Sequence, residues 1–512
     1  MAKTMIDVLD ATADRLPSTP YCEYEGRVTT FGEFREHARR VAGGLDGLAV
    51  KPGARVAYLG KNSDRLLELI FGAAMLRATC VVLNWRLALP EWRDVIEDSG
   101  AQILFVDQEF VQQGQALART IPQIGHIVTI DAGPVKSDMH LMDYDAFLKS
   151  SSPKVAEGIQ PEDDFLQLYT SGTTGRPKGV PQTHAMHLSQ RAQWEDRIGI
   201  FPEGDRILVF MPCFHAAGVT YPLFALAYGT QVEIHRAADP AKIMQSLSSG
   251  RITTTVMVPT LLAMLLPKLK PGMFPALKRI HYGASAIDPQ LLEKVMEVFG
   301  CDFVQIYAAT ETTAALCMLS PEDHRLGLER RELLTSAGKP ARGVQMRIVD
   351  GKGHDVPVGS SGEIFVKSGS TLRGYWRNQQ ATEDAITDGW YHTGDLGRVD
   401  ADGYVYVVDR VKDMIISGGE NVYSSEVENA MTSFPGLVEL AVVGVPDAQW
   451  GEVVTACVVP APGQEPDLEK IQAFLRPLLA GYKIPRRLEI LPALPRNPMG
   501  KLQKHLLRSK LK

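Results

Sequence analysis

The chain has 512 residues, of which 45% are hydrophobic and 22% charged, and its formal net charge at pH 7 is −6. This length exceeds what one hydrophobic core usually holds, so we expect at least two domains, and the negative charge gives no electrostatic basis for binding nucleic acid. The six cysteines lie far apart without a Cys-x-x-Cys pair, which favours a reducing compartment over a disulfide framework or a zinc site.

Neither a signal peptide nor a membrane span is predicted. The first seven residues contain no apolar region, and Arg77 and Pro259 interrupt the two most apolar runs of the chain. A peroxisomal Ser-Lys-Leu signal must be terminal, whereas the one at 509–511 is followed by Lys512. We therefore expect a cytoplasmic protein without a transmembrane segment.

Helical and strand-like patterns alternate through the first part of the chain. In chain order, the patterns predict a helix at 31–48, a strand at 55–59, a helix at 63–76, and strands at 79–83, 206–211 and 231–235. This alternation of strands and helices favours a mostly parallel sheet. The predicted fold class is therefore α/β, with doubly wound sheets in a large N-terminal domain.

The pattern changes to short strands with turn signals between residues 335 and 410. Asp-Gly pairs at 350–351 and 402–403 mark two of these turns, and such a segment is typical of a small β-barrel subdomain. The composition then shifts to a compact α+β pattern. We predict an N-terminal domain at 1–410, which includes the β-rich subdomain, and a small α+β C-terminal domain at 411–512.

Residues 168–180 read LYTSGTTGRPKGV, a segment rich in glycine and hydroxyl side chains that also contains Lys178. Glycines let backbone N–H groups approach an anion, and hydroxyls and an ammonium group add further donors, so the segment predicts a loop that grips a polyphosphate. It is not a Walker A loop, because Pro177 and Gly179 flank the lysine. Taken alone, a Ser/Thr/Gly-rich surface turn is an equal alternative.

Residues 305–312 read QIYAATET, and we predict a strand that ends at Ile306. Ligands bind at the carboxyl ends of parallel strands, so Tyr307 could stack on a planar base and Thr310 could bond a phosphate. Glu311 could hold Mg²⁺, which needs few carboxylates when phosphates supply other ligands. An ordinary strand and loop is the alternative for this segment alone.

Three further segments carry candidate residues. Asp395 follows a Thr-Gly turn and could accept both hydroxyls of a ribose, although a turn or cap residue is the alternative. Arg410 and Lys412 stand at the predicted domain junction, where a solvated charge cluster is the alternative. Lys501 follows a glycine near the C-terminus, where a lone lysine is usually a solvated surface residue.

Together the five segments share one order and one spacing, and on them the chain resembles the adenylate-forming (ANL) superfamily from about residue 5 to 510. This superfamily includes acyl-CoA synthetases, aryl-acid CoA ligases, nonribosomal adenylation domains and beetle luciferases. Residues 409–428 and 444–452 look most like the acyl-CoA synthetase branch, which comprises fatty-acid and aryl-acid CoA ligases.

The resemblance implies a role for each matching residue. Glu311 would hold Mg²⁺, Lys501 would bridge the substrate carboxylate and the α-phosphate, Lys412 would be the hinge between the domains, and His215 would lie at the junction of the acyl and pantetheine groups. The residues implied to contact ATP or CoA are Thr170, Ser171, Gly172, Thr173, Thr174, Gly175, Lys178, Gly283, Ala284, Ser285, Tyr307, Ala308, Thr310, Asp395, Arg410, Gly418, Gly419 and Trp450, with Arg486 and Arg487 as weaker candidates.

Three positions depart from the common pattern of the superfamily. Ala308 replaces a glycine, Ala284-Ser285 stands where Gly-Ala-Pro is common, and Ser424 replaces a frequent proline. All are small residues, so the expected ATP binding is retained. The first two departures would reshape the acyl pocket.

The implied function is that of an ATP-dependent acid–CoA ligase, with ATP, Mg²⁺ and CoA as its cofactors. No lysine or arginine falls in the windows expected to line the acyl pocket, at 215–219, 258–262, 283–286 and 308–313, so we expect a monocarboxylic acid. A medium- or long-chain fatty acid is favoured, with an aryl or cinnamic acid as the alternative.

Other functions remain open at this stage. The acceptor could be the phosphopantetheine of a carrier protein instead of free CoA, or the enzyme could release acyl-AMP. A nucleotide-binding regulator and a P-loop kinase or ATPase are alternatives from other classes. A homodimer is one assembly the chain could adopt.

Overall fold

The structure is a computed structural model that describes residues 2–133, 139–171, 177–198, 201–313, 315–496 and 502–511, without the side chains of residues 171 and 196–198. Its helices are α1 (Met5–Arg15), α2 (Phe31–Gly47), α3 (Asp64–Ala74), α4 (Leu89–Ser99), α5 (Val111–Thr120), α6 (Tyr144–Ser150), α7 (His184–Ile198), α8 (Ala216–Tyr228), α9 (Pro240–Ser248), α10 (Pro259–Leu265), α11 (Pro289–Phe299), α12 (Pro321–Gly327), α13 (Gln379–Ala385), α14 (Ser424–Met431), α15 (Leu468–Leu475) and α16 (Lys504–Leu511).

The strands are β1 (Pro20–Tyr24), β2 (Arg27–Thr30), β3 (Arg55–Leu59), β4 (Thr79–Leu83), β5 (Ile103–Asp107), β6 (His126–Ile130), β7 (Leu141–Asp143), β8 (Asp164–Ser171), β9 (Pro177–Thr183), β10 (Arg206–Val209), β11 (Gln231–Ile234), β12 (Thr254–Met257), β13 (Arg279–Gly283), β14 (Asp302–Ala308), β15 (Ala315–Leu319), β16 (Lys339–Pro340), β17 (Gln345–Val349), β18 (Gly362–Lys367), β19 (Ile386–Thr387), β20 (Trp390–Val399), β21 (Val405–Arg410), β22 (Ile415–Ser417), β23 (Glu420–Val422), β24 (Leu437–Asp447), β25 (Gly451–Pro460) and β26 (Arg487–Ile490).

The chain forms two compact units. The first comprises Met1–Met346 and Val366–Tyr391, and the second comprises Arg347–Phe365 and His392–Lys512. Among the residues that the structure describes, no helix combines the length and the apolar character needed to cross a lipid bilayer.

Two mixed sheets form the framework of the first unit. One has the strand order β16-β15-β14-β13-β12-β10-β11-β1-β2, and the other has the order β7-β6-β5-β3-β4-β8-β9. The inner strands β3, β4 and β5 are parallel and buried along their whole length, as expected of Val- and Leu-rich strands covered on both faces. The predicted α/β class with a large N-terminal domain is confirmed.

The packing of α2 shows how the sequence specifies these elements. Thr30 and Glu33 form a capping box, in which the Thr30 Oγ1 accepts from the Glu33 N–H and the Glu33 carboxylate accepts from the Thr30 N–H. The helix therefore begins at Phe31, as predicted. Its buried face meets α3 at Gly72, where an added Cβ would lie 2.5 Å from Val41 Cγ1, so the two helices approach closely.

The larger sheet determines where a ligand can bind. Strands β10, β12, β13 and β14 run parallel, so the segments that follow β10, β13 and β14 emerge at the same edge of the sheet. Strand β14 extends to Ala308, two residues beyond the predicted end at Ile306. Hence Tyr307 and Ala308 belong to the strand, and the turn that carries Glu311 follows directly.

A four-stranded antiparallel core organises the C-terminal part of the second unit. Strands β23-β22-β25-β24 are in that order, with β26 paired to β25. Helices α14 and α15 cover one face through Val427, Met431, Ile471 and Leu475, whereas Leu507 of α16 packs in a separate cluster. This is the smaller α+β domain that the sequence predicts.

The β-rich segment forms a five-stranded sheet with the order β17-β18-β20-β19, and β21 pairs with β20. Strand β21 belongs to the second unit. One reason is that the Asp409 carboxylate accepts from the Ser424 Oγ at 2.8 Å and from the Ser425 N–H at 3.3 Å, which ties the strand to α14. The two compact units are divided at other positions than 410–411. The domain boundary predicted at 410–411 stays a prediction.

Candidate active site

The candidate site is described from the carboxylate of Glu311, which accepts hydrogen bonds from two other segments of the chain. It lies in a 3-10 turn, Thr310–Thr312, immediately after β14. Its Oε1 accepts from the Tyr375 hydroxyl at 3.1 Å and from the Thr170 Oγ1 at 3.4 Å. Because Thr170 is the penultimate residue of β8, the carboxylate lies between strand ends from two different sheets.

A cation lies beside this carboxylate group. Lys178 Nζ is 4.8 Å from the centre of the Tyr375 ring, and Lys178 is paired with Thr170 across the β8–β9 ladder. Burial, together with the neighbouring Glu311 charge, raises the pKa of the Tyr375 phenol, so the hydroxyl stays protonated and donates. The predicted residues Thr170, Lys178, Thr310 and Glu311 are thus brought together.

Some of the predicted site residues lie outside the part of the chain that the structure describes. Gly172, Thr173, Thr174, Gly175 and Lys501 lie outside the described residues, and only the backbone of Ser171 is described. The roles assigned to them stay predictions.

The end of β13 forms an exposed ledge beside the turn. Gly283 pairs with Ile306, and an added Cβ at Gly283 would lie 2.3 Å from the Ile306 carbonyl oxygen. The close backbone approach therefore requires glycine. Ala284 has a positive φ of 68°, and the side chains of Ala284, Ser285 and Ala308 are exposed, which leaves a ledge of small residues open to a ligand.

His215 stands at the start of α8, after the β10 strand end. Its ring centre is 4.5 Å from that of Phe214, which packs edge-on against Trp85 at 6.3 Å. Gly218 permits this turn, because an added Cβ there would lie 2.2 Å from the Pro212 carbonyl oxygen. The histidine is therefore half-buried at the sheet edge where the β13 and β14 loops also emerge.

Asp395 and Arg410 form an ion pair in the second unit. They are direct neighbours on β20 and β21, and the Arg410 Nε lies 2.7 Å from the Asp395 Oδ1. The Asp395 N–H donates to the Thr393 Oγ1, and the Gly394 N–H donates to the Glu363 carboxylate. Burial, with a contribution from the Asp395 charge, raises the pKa of Glu363.

A second cluster of the same unit contains Gly418, Gly419 and Trp450. The two glycines form the turn of the β22–β23 hairpin with φ of 63° and 85°, a conformation that other residues rarely adopt. An added Cβ at Gly418 would lie 3.0 Å from the Trp450 ring, and the Arg486 guanidinium lies 4.1 Å above that ring. The result is a flat aromatic surface with an attached positive charge.

Lys412 lies between two anchored neighbours. It is exposed in a 3-10 turn, Val411–Asp413, directly after β21. On its N-terminal side Asp409 binds α14, and on its C-terminal side Asp413 pairs with Arg508 of α16 at 2.6 Å. The structure shows where the predicted hinge residue lies, and its role as a hinge stays a prediction.

The single carboxylate of Glu311 can help to bind a magnesium ion whose other ligands are phosphate and water oxygens. It cannot by itself form a metal site in which all ligands come from the protein. No group of three or more His, Cys, Asp or Glu side chains suited to a metal is found in the described ranges. Mg²⁺ commonly takes one or two carboxylates and completes its shell with phosphates and water. Glu311, with its hydroxyl neighbours Thr170 and Tyr375, fits that donor set.

The sequence did not point to three residues of this site. Tyr375, Gln182 and Gln190 contact Glu311 or its turn from distant segments. The run Gly374-Tyr375-Trp376 is a signal that could have indicated the tyrosine. Gln182 lies two residues beyond the motif at 168–180, and Gln190 stands in a segment with no recognisable motif.

Comparison with known proteins identifies relatives over the whole chain. Residues 9–376 match the family model of the AMP-binding enzymes, and residues 426–501 match that of the AMP-binding enzyme C-terminal domain. The fatty acid–acyl-carrier-protein ligase ScoC of Streptomyces coeruleorubidus is 37% identical over 99% of this chain and 96% of its own. A feruloyl-CoA synthase of Amycolatopsis is 36% identical over 96% of each chain.

Solved structures of o-succinylbenzoate CoA synthetase (MenE) from Bacillus subtilis share the fold. The complex with its acyl-adenylate intermediate OSB-AMP has a TM-score of 0.86 and 31% identity, and covers 99% of this chain and 97% of that one. The complex with ATP and a magnesium ion has a TM-score of 0.84 and 30% identity over 98% of each chain.

The close approach at Gly283 yields a test of the site's framework. Gly283→Ala is expected to lower the free energy of unfolding by about 1–3 kcal/mol, because the methyl group must displace a paired backbone carbonyl. Urea unfolding followed by circular dichroism measures this. The matched control is Gly47→Ala in α2, where an added Cβ meets nothing within 4 Å; equal unfolding midpoints for both variants would contradict the argument.

Proposed function

Since the chain belongs to the AMP-binding enzyme family, we propose that it is an AMP-forming acid–thiol ligase that activates a monocarboxylic acid with ATP and transfers the acyl group to CoA. The observation that carries this proposal is the cluster of Glu311, Thr170, Tyr375 and Lys178. It joins a carboxylate suited to magnesium, protonated hydroxyls and a cation at the edge of the sheet where ligands bind.

In the first step a carboxylate oxygen of the acid forms a bond to the α-phosphorus of ATP. The bond from that phosphorus to its bridging oxygen breaks, and pyrophosphate leaves with the electron pair. The acid and ATP are both anions, so the site must offset their repulsion. Lys178 supplies a positive charge for the phosphates, and Lys501 is proposed to bridge the carboxylate and the α-phosphate.

Glu311 would hold Mg²⁺ together with phosphate oxygens, and the bound ion would neutralise charge on the transferring phosphate. The ledge at Gly283–Ser285 and Tyr307 is proposed to take the adenine. Asp395, which is buried and fixed by its ion pair with Arg410, is proposed to accept hydrogen bonds from the ribose hydroxyls.

In the second step the CoA sulfur forms a bond to the acyl carbon, and the carbon–oxygen bond to AMP breaks. The thiol proton goes to solvent, and AMP leaves with the electron pair. We propose that Gly418, Gly419 and Trp450 face CoA in this step, with Arg486 on the Trp450 ring as the contact for a purine or a phosphate. Rotation about Lys412 would exchange the two faces of the C-terminal domain.

A fatty acid is our proposed substrate, with an aryl or cinnamic acid as the alternative. Ala308 and Ala309, at the end of β14, are small residues in a window expected to line the acyl pocket, which leaves room for a chain or a ring. ScoC acts on a fatty acid and a carrier protein, whereas the feruloyl-CoA synthase acts on an aryl acid, so these relatives support both acids and both acceptors. We further propose a cytoplasmic location, supported by six cysteines that lie far apart in the sequence without a Cys-x-x-Cys pair. A homodimer is the first assembly to test by light scattering.

A panel assay tests the function. Purified protein is incubated with ATP, Mg²⁺ and a range of fatty and aromatic acids, with either CoA or a holo-carrier protein as acceptor. Mass spectrometry is expected to detect AMP and an acyl-CoA from one subset of acids. AMP without acyl-CoA would exclude CoA as the acceptor, and ADP in place of AMP would exclude the ligase function.

Lys501→Ala is expected to slow adenylation by about 100-fold or more, since one charged donor to the reacting phosphate is lost. The variant should still convert supplied acyl-AMP and CoA into thioester, because the proposed rotation of the C-terminal domain withdraws Lys501 from the reacting groups before that step. Pyrophosphate release and acyl-CoA formation from acyl-AMP are measured separately. Equal loss in both assays would show that Lys501 does not have this role.

Lys412→Pro is expected to slow thioester formation at least about tenfold more than adenylation, because proline fixes φ where the domain must rotate. Single-turnover kinetics of each half-reaction measure the two effects. Lys412→Arg, which retains backbone freedom and charge, serves as the control and should leave the ratio unchanged. If proline slows both steps alike, the rotation does not occur at this residue.

A further inference from the structure

The backbone carbonyls of Ala309, Thr310 and Glu311, at the turn that carries Glu311, each have a backbone donor. The Ala309 carbonyl accepts from the Thr312 N–H and Oγ1, and the Thr310 carbonyl accepts from the Thr313 N–H. The Glu311 carbonyl accepts from the Leu372 N–H at 2.7 Å. Two further donors come from glutamine side chains that no step of the proposed reaction uses.

The first is Gln182 of β9, whose Nε2 donates to the Thr310 carbonyl at 3.2 Å. Its side chain is buried, with 1% of the residue exposed. Gln182 lies four residues after Lys178 on the same strand. The strand that carries the cation of the site therefore also fixes the backbone on the N-terminal side of Glu311.

The second is Gln190 of α7, whose Nε2 donates to the Thr313 carbonyl at 2.9 Å and to the Thr220 Oγ1 at 3.3 Å. It is 2% exposed. Since Thr220 belongs to α8, Gln190 joins two helices to the C-terminal side of the turn. The carbonyls of Thr310 and Thr313 thus flank Glu311, and each is bonded by a buried amide.

The backbone that these amides hold is strained. Thr313 has φ 57° and ψ −28°, and a β-branched residue rarely adopts a positive φ. Such strain persists where the surrounding structure fixes the conformation, and it concentrates at functional sites. Loss of either amide would therefore let the turn relax, and the Glu311 side chain would change direction with it.

We propose that Gln182 and Gln190 are positioning residues, which hold the turn on either side of Glu311 and so direct its carboxylate at the metal-binding position. The inference rests on the proposed function for the role of Glu311 as a magnesium ligand. The hydrogen bonds that fix the turn do not depend on that function.

The experiment compares Gln182→Met and Gln190→Met with Gln193→Met. Methionine keeps the approximate size of glutamine but cannot donate. Gln193 is a matched control because it lies on α7, is 1% exposed, and bonds the Ser370 Oγ at 3.1 Å instead of the turn. All three variants lose one buried amide, so a general loss of stability affects them similarly.

For both test variants we expect the Mg²⁺ concentration for half-maximal adenylation to rise about tenfold, the effect of one hydrogen bond on an equilibrium. Saturating Mg²⁺ should restore most of kcat, a rescue that a merely structural defect would not show. Calorimetry of Mg·ATP binding should show the same weakening. In the ligand-free protein, hydrogen exchange of residues 309–313 and of the Leu372 amide should accelerate, whereas Gln193→Met stays within about twofold of the wild type in every measurement.

Wild-type magnesium dependence and wild-type exchange in both test variants would overturn the proposal. Equal defects in all three variants would also overturn it, since they would reflect the loss of a buried amide in general. If the wild type formed no AMP, the proposed function would fail instead. The exchange measurement needs no ligand and would still decide whether the two amides hold the turn.

Discussion

A buried backbone carbonyl needs a hydrogen-bond donor, and the turn between β14 and β15 depends on this constraint. Its donors come from β9, from α7 and from the segment before α13, while the Glu311 side chain reaches the end of β8. One short turn therefore joins both sheets of the first unit. The carboxylate stands at this junction, where its direction is set by elements that are themselves fixed in the core.

Electrostatics at the junction complement this geometry. The Tyr375 hydroxyl remains protonated because burial and the Glu311 charge raise its pKa, so the carboxylate keeps a neutral donor. Lys178 Nζ lies 4.8 Å from the centre of the same ring. The cation is thus held near Glu311 by a cation–π contact, which leaves its ammonium group available to an anionic substrate.

The sequence predicted those features that depend on local patterns. Strands 55–59 and 79–83 were predicted at their observed bounds, since apolar runs flanked by turn residues define them, and α2 begins where Thr30 and Glu33 signal a capping box. Glu311 and Lys178 were recognised from motifs. Gln182 and Gln190 were not, because both lie after the end of the 168–180 motif and their partners are 128 and 123 residues away.

The domain boundary at Arg410 was also predicted from a local signal, a change of composition, and it stays a prediction. Contacts between distant residues are not visible in such a signal: Asp409 of β21 bonds Ser424 and Ser425 of α14. A rotation about Lys412 that moves α14 away from β21 must break these bonds. Hydrogen bonds to a charged group contribute about 1.5–3 kcal/mol, which is within the range of free energies that separate two conformations of one protein. A contact of this size would oppose the proposed rotation, and a ligand that binds the rotated arrangement more tightly would have to offset it.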